Sequence, residues 1–166
     1  DVIPPVGLAF WRWTIAFLIL LPFAWRQAAR DGPAVMRAWK IILLISFFGI
    51  ACFNTMLYQA VHTIPAINAA LIQSAMPAFI ILVSLILFRE RVTAIQILGT
   101  ILCMIGAAIV VLRGDLGALL TLSIAQGDVI MIAAVVLYAL YSVLLRRKPD
   151  VHPFSILLYT FGLGVL

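Results

Sequence analysis

The sequence predicts an all-α protein, a polytopic transmembrane helical bundle of about six spans. Three observations predict it. Of 166 residues, 66% are hydrophobic and only 10% charged, with a mean hydropathy of +1.22, whereas a soluble domain is roughly half apolar and a quarter charged. The apolar residues gather in runs close to the ~20 residues that a membrane helix needs. The runs lack the alternating polarity of barrel strands, and backbone groups must stay paired in lipid, so segments of this length are helical.

The first span covers residues 6–24 and carries Arg12 about 9 Å in from Val6 at helical rise. Trp11 and Trp13 crowd this arginine. It either snorkels to the outer headgroups or contacts an anion in a cavity. The second span, 41–61, carries Asn54 and Tyr58, four apart and on one helix face. The third, 66–88, carries Asn68, Gln73, Ser74 and Pro77. Pro77 lacks an amide donor and displaces the Gln73 carbonyl, so a kink is expected there. Such polar groups serve either as helix–helix glue or as cavity lining. Small residues recur at Ala66, Ala70, Ser74 and Ala78, and in the fourth span, 94–112, at Gly99, Cys103 and Ala107 with Gly106 nearby. Their expected role is close helix packing. The fifth span, 129–145, places Tyr138, Tyr141 and Ser142 on one face. The sixth begins near Phe154 and is cut off at Leu166.

The connectors carry the charge. Segments 25–40, 89–93 and 146–153 hold nine of the 11 basic residues, while the alternate connectors hold Arg113 alone. The positive-inside rule makes the first set cytoplasmic. It places 62–65 and 113–128 outside, where 116–124 is apolar enough to lie on the membrane but too short to cross. None of the six acids lies in mid-span, which argues against a carboxylate relay in this segment.

Several classes are excluded. Disorder needs low hydrophobicity and high charge. The net charge of +5 is spread over connectors, so no nucleic-acid partner is expected. Cys52 and Cys103 lie in apolar runs without a second ligand at metal spacing, so no metal and no cofactor is expected. The histidines, His62 and His152, fall on opposite sides of the membrane, and no catalytic motif appears. Residue 1 is Asp, and the chain stops inside an apolar run. A piece of a longer protein is the expectation.

A repeat is visible. Asp1-Val2-Ile3-Pro4 precedes the first span, and Asp150-Val151-His152-Pro153 precedes the sixth. The charge rule gives the two copies opposite orientations, as in the inverted repeats of many transporters. The expected division is residues 1–112 in a first repeat, 113–128 as an external loop and 129–166 as the start of a second.

Beyond this reading, the residues carry a resemblance. Asn54-x-x-x-Tyr58-x-Ala60, Thr63-x-Pro65-Ala66, Leu71-Ile72-Gln73-Ser74-x-x-Pro77-x-Phe79, Glu90-Arg91-x-Thr93, Gln96-x-x-Gly99 and Gly106 resemble the EamA family of the drug/metabolite transporter superfamily. So do Arg12, Gly127-Asp128 and Ala139-x-Tyr141-Ser142. The resemblance implies ten helices in two inverted five-helix repeats, of which this chain would hold helices two to seven. It implies transport of small metabolites, amino acids among them, through a cavity between the repeats. The expected substrate residues are Arg12, Asn54, Tyr58, Gln73, Ser74, Tyr138 and Tyr141. Pro77, Glu90, Arg91, Gly99 and Gly106 are the expected structural or gating residues, with Glu90-Arg91 a tie at the cytoplasmic end of span three. The expected protein is an alternating-access permease of the bacterial inner membrane, with export as the direction. Its expected partners are a small-molecule substrate and the bilayer, and a homodimer is allowed. A nucleotide-sugar carrier and a non-transporting membrane subunit are the rival readings.

Overall fold

The computed structural model describes residues 4–111 and 126–165, and all the regular elements among them are helical. The segment 116–124, expected on the membrane surface, lies outside the described residues.

The first helix, α1 (Pro5–Arg37), opens with Pro4 in an extended conformation and a proline in its first turn, where the missing N–H costs nothing. It does not stop at Ala24. It runs 33 residues, through Pro22 and Pro33, to Arg37. The expectation of a loop over 25–40 is therefore wrong. Ala, Arg, Gln and Met dominate this stretch and all favour helix. Ala24, Ala28 and Val35 along it are buried. One residue, Ala38, separates α1 from α2 (Trp39–Ser46). A π-helical segment, Phe47–Cys52, continues α2 directly into α3 (Phe53–Val61). The turn at 62–65 leads to α4 (Ala66–Ser74), and Ala75 separates this from α5 (Met76–Phe88). The remaining helices are α6 (Ala94–Val111), α7 (Gln126–Leu144), a short 3-10 turn at Leu145–Arg147, and α8 (Pro153–Val165).

By length and composition, three segments can cross a membrane: α1, the continuous run Trp39–Val61, and Gln126–Arg147. The pair α4 and α5, bent by 40°, makes a fourth as one broken span. The described parts of α6 and α8 are apolar but shorter. The bend falls where Pro77 predicts it. The Ala75 amide bonds back to Ile72, and Ala75 accepts from Ala78 and Phe79, so the ladder restarts rather than passing through.

The chain forms two compact units, Asp1–Thr55 with Tyr141–Leu166, and Met56–Leu140. In the first, α1 lies along α8. Ala24 and Ala28 pack on Leu158, with Phe17, Leu20 and Tyr159 around them. Trp13 meets Phe161 with ring centroids 4.8 Å apart, and the Tyr159 hydroxyl donates to the Ala28 carbonyl at 3.1 Å. In the second unit Ala60, Ile64, Ala69 and Met131 form the core, joining α3, its turn, α4 and α7.

Candidate functional site

The expected substrate residues divide between the two units. Arg12, Asn54 and Tyr141 belong to the first, and Tyr58, Gln73, Ser74 and Tyr138 to the second.

In the first unit, Asn54 and Tyr141 converge on Gly49. Asn54 is buried at 5% exposure, and its Nδ2 donates to the carbonyls of Gly49 at 3.1 Å and Ile50 at 3.2 Å. A π-helical turn widens the backbone and strains the ordinary i→i+4 pairing. The amide of Asn54 supplies a donor to the carbonyls that this turn involves. On the same turn, Gly49 lies so close to the Tyr141 ring that any Cβ there would clash with it. Arg12 stands apart from this group. It is exposed, with its guanidinium 5.2 Å from the Trp13 ring centroid, in cation–π range. The neighbouring Trp13 Nε1 and Thr14 Oγ1 are buried without a hydrogen-bond partner.

Asp31 follows the apolar part of α1. A 33-residue helix is about 50 Å long, against about 30 Å for the hydrocarbon core, so Asp31 lies beyond the span. Its carboxylate accepts the Ser155 hydroxyl at 2.6 Å and the His152 amide at 3.1 Å, at the start of α8. The Ser155 hydrogen bond foremost, helped by the His152 amide and Gln27 and opposed by desolvation, holds this carboxyl below its usual range.

In the second unit Tyr58, Gln73, Ser74 and Tyr138 are all half-buried. The Ser74 hydroxyl donates to the Leu71 carbonyl at 2.7 Å, within its own helix and beside the break. Glu90 accepts a hydrogen bond from buried Ser84. The chain reaches that position because Arg89 adopts the left-handed conformation, φ 50°, and turns the backbone against the end of α5. Arg91 is exposed. Thr93 and Gln96 then start α6 with a reciprocal capping box, the Gln96 side chain accepting from the Thr93 amide at 2.9 Å and the Thr93 hydroxyl from the Gln96 amide at 3.3 Å. The T-x-x-Q pattern is a recognisable sequence signal for this. Gly99 and Gly106 lie on α6. An added Cβ at either meets nothing within 4 Å, so the described residues make no close approach there.

Cavities in the described structure include three of note. One of 520 Å³ lies between α1 and α8 beside Phe17, Trp25 and Tyr159, and one of 340 Å³ between α5 and α6; both are lined mainly by apolar residues. The third, of 320 Å³, has polar walls from Gln59, Thr63, Gln126 and Gly127. None of the seven expected substrate residues lines any of the three. Beside the third, sequence reasoning missed a buried pair. Asp128, in the first turn of α7, accepts Asn68 Nδ2 at 3.2 Å. The two residues are 60 positions apart, and nothing in the local pattern joins them.

Apolar helices of spanning length, with one broken pair among them, define an integral membrane protein. The chain belongs to the EamA-like transporter family, whose sequence model matches residues 1–112. By that membership it falls in the drug/metabolite transporter superfamily. It is similar to the uncharacterized transporter YyaM of Bacillus subtilis, 31% identical over 166 residues, which cover 98% of this chain and 53% of that protein. It is 28% identical over 110 residues to a riboflavin transporter of Brucella anthropi, covering 66% of this chain and 37% of that protein. An uncharacterized transporter of Methanothermobacter thermautotrophicus is 29% identical over 128 residues, 75% of this chain and 37% of its own length. The chain therefore spans about half the length, or less, of these relatives. No solved structure matches it.

Proposed function

We propose that the whole protein is an inner-membrane permease that moves small, polar, net-neutral metabolites by alternating access, with export as its direction. Residues 1–112 are most of one repeat and 129–166 the start of a second, inverted one. Tyr58, Gln73, Tyr138 and Tyr141 contact substrate, and Arg12 stands near the outer mouth. Asn54, Ser74 and Pro77 shape the helices that carry them, and Glu90-Arg91 tie the inner end.

The observation that carries this reading is the chemistry of the spans. Among the described residues, their half-buried polar groups include the amide of Gln73 and the phenols of Tyr58, Tyr138 and Tyr141, without a ring of cationic side chains. Such a lining suits zwitterions and uncharged polar heterocycles better than multivalent anions. The riboflavin transporter among the relatives makes riboflavin a natural member of the first panel.

The test is counterflow by full-length protein in liposomes, with amino acids, dipeptides, riboflavin and nucleotide sugars as the panel. Tyr58→Phe and Gln73→Ala are each expected to slow exchange of the accepted compound about tenfold, the loss of one good hydrogen bond. Wild-type rates in both variants would remove these residues from the pathway. Preference for nucleotide sugars would favour the anion-carrier reading. No exchange by any compound, with one partner co-purifying in fixed ratio, would favour a non-transporting subunit.

A further inference from the structure

The cavity of 520 Å³ is a groove along the seam of α1 and α8. Phe17, Trp25 and Ala29 of α1 line it, with Leu158 and Leu163 of α8. It is open rather than sealed, since Trp25 is 54% exposed and Leu163 42%. The Tyr159 hydroxyl on its wall is taken up by the Ala28 carbonyl at 3.1 Å. Such a lining offers a water-soluble metabolite little to bind. It suits a hydrocarbon chain.

Length and charge narrow the occupant. Ala29 is 12 positions beyond Phe17, so the groove runs about 18 Å along α1. That is close to the hydrocarbon depth of one leaflet, half of a core of about 30 Å. A helix crossing the whole core would ask for a groove nearly twice as long. The groove ends toward residues 25–40, which the charge rule assigns to the cytoplasmic side. Trp25 stands at that end, and the Arg26 guanidinium lies over its ring, 5.6 Å from the centroid. Arg30 follows one turn on, on the same helix face as Arg26. Both arginines are exposed. Asp31, the acid of α1, accepts from the Ser155 hydroxyl and the His152 amide, so its carboxylate is turned to α8. An apolar helix laid in the groove would cover the two cations at a high desolvation cost. A phosphate would pair with them.

We propose that this groove is a binding site for an anionic phospholipid of the inner leaflet. One acyl chain lies along Phe17, Leu163, Leu158 and Ala29, and the phosphate meets Arg26 and Arg30 at the inner end. Trp25 stands between the two, as interfacial tryptophans do. A chain seated there covers apolar surface on both helices at once and so ties α1 to α8. None of the seven substrate candidates lines the groove, so the site is independent of what the protein transports.

Trp25 is the reporter for the test, because bromine on an acyl chain quenches tryptophan fluorescence only at close range. Full-length protein is placed in phosphatidylcholine liposomes that contain a small share of chain-brominated lipid. The Trp25 signal is the difference between each protein and the same protein carrying Trp25→Phe. Brominated phosphatidylglycerol is expected to quench this signal at about 25-fold lower share than brominated phosphatidylcholine, fivefold for each arginine. Equal quenching by the two lipids would overturn the proposal. Quenching by neither would also overturn it, and would mean that another segment or a second copy fills the groove. Arg26→Gln combined with Arg30→Gln is expected to abolish the preference. Ala29→Phe keeps both arginines but fills the groove from an exposed position, and is expected to abolish it too. A wild-type preference in the first variant would take the phosphate away from the arginines, and in the second the chain away from the groove; either result would sink the site. Soluble glycerol phosphate is expected to leave the quenching unchanged. Relief of quenching by it would make this a site for free phosphate esters and not for lipid.

Discussion

Asn54 is the residue where sequence and structure give different accounts of one side chain. Its polarity inside an apolar run makes it a substrate candidate. The structure has its amide donating to the carbonyls of Gly49 and Ile50 on the π-helical turn. A buried acceptor that loses its donor costs about 1–3 kcal/mol. Asn54→Ala is therefore expected to lower unfolding stability by about 1–2 kcal/mol, read from denaturation in detergent. The KM of the surviving transport activity should stay within about twofold of wild type, a small fraction of what one lost hydrogen bond would cost. A normal melting curve with a KM raised tenfold would return Asn54 to the substrate. Its importance was legible, because a buried carboxamide in lipid always needs a reason. Its role was not, because nothing in Phe47–Cys52 distinguishes a π turn from an α turn by residue type alone. Asp128 was illegible for another reason. Its partner Asn68 is remote in the chain, so the sequence places it in a connector and the tertiary contact buries it.

At the scale of elements, the run of helix from Trp25 to Arg37 is the largest departure from expectation. Charge density suggests a loop, yet intrinsic helix preference and the apolar contacts of Ala28 and Val35 prevail. The extension gives α8 something to dock against. Asp31 accepts from the His152 amide and the Ser155 hydroxyl, and so caps the start of α8 with a charge favourable to its dipole. The folded carboxyl is held below its ordinary range. Its contribution is therefore fully present above the unfolded carboxylate pKa, near 3.9, and is lost as pH falls through the lower folded value. Hydrogen exchange at residues 154–157 is expected to speed up in Asp31→Asn at neutral pH, and in wild type only on acidification past the carboxylate range. Equal protection in Asp31→Asn and wild type at neutral pH would show that apolar contacts alone hold α8. By contrast, the bend between α4 and α5 was fully legible from Pro77, because loss of an amide donor is a local, covalent fact.

At the scale of the whole molecule, the orientation can be argued from two sources that share no residues. The charge rule uses Lys and Arg, and assigns 25–40 and 146–153 to one side and 62–65 to the other. The packing uses neutral and acidic groups. Within the first unit, Asp31 meets His152 and Ser155, which puts the end of α1 and the start of α8 together. Within the second, Thr63 lies against Gly127 and Asn68 bonds Asp128, which puts the turn after α3 and the start of α7 together. Each tie joins segments that the charge rule had already placed on a common side, and neither joins segments from opposite sides. One misassigned crossing among the second to fifth spans would have separated one of these pairs. The resulting orientation is tested by single cysteines in full-length protein whose own Cys52 and Cys103 are replaced by Ser. His62→Cys, exposed in the turn after α3, is expected to react with an impermeant maleimide in intact cells. Arg147→Cys, exposed at the end of the 3-10 turn, is expected to react only after permeabilisation. The reverse labelling would invert the topology. Labelling of both positions in intact cells would mean that the spans between them do not cross an odd number of times, and the inverted-repeat reading would fall with it.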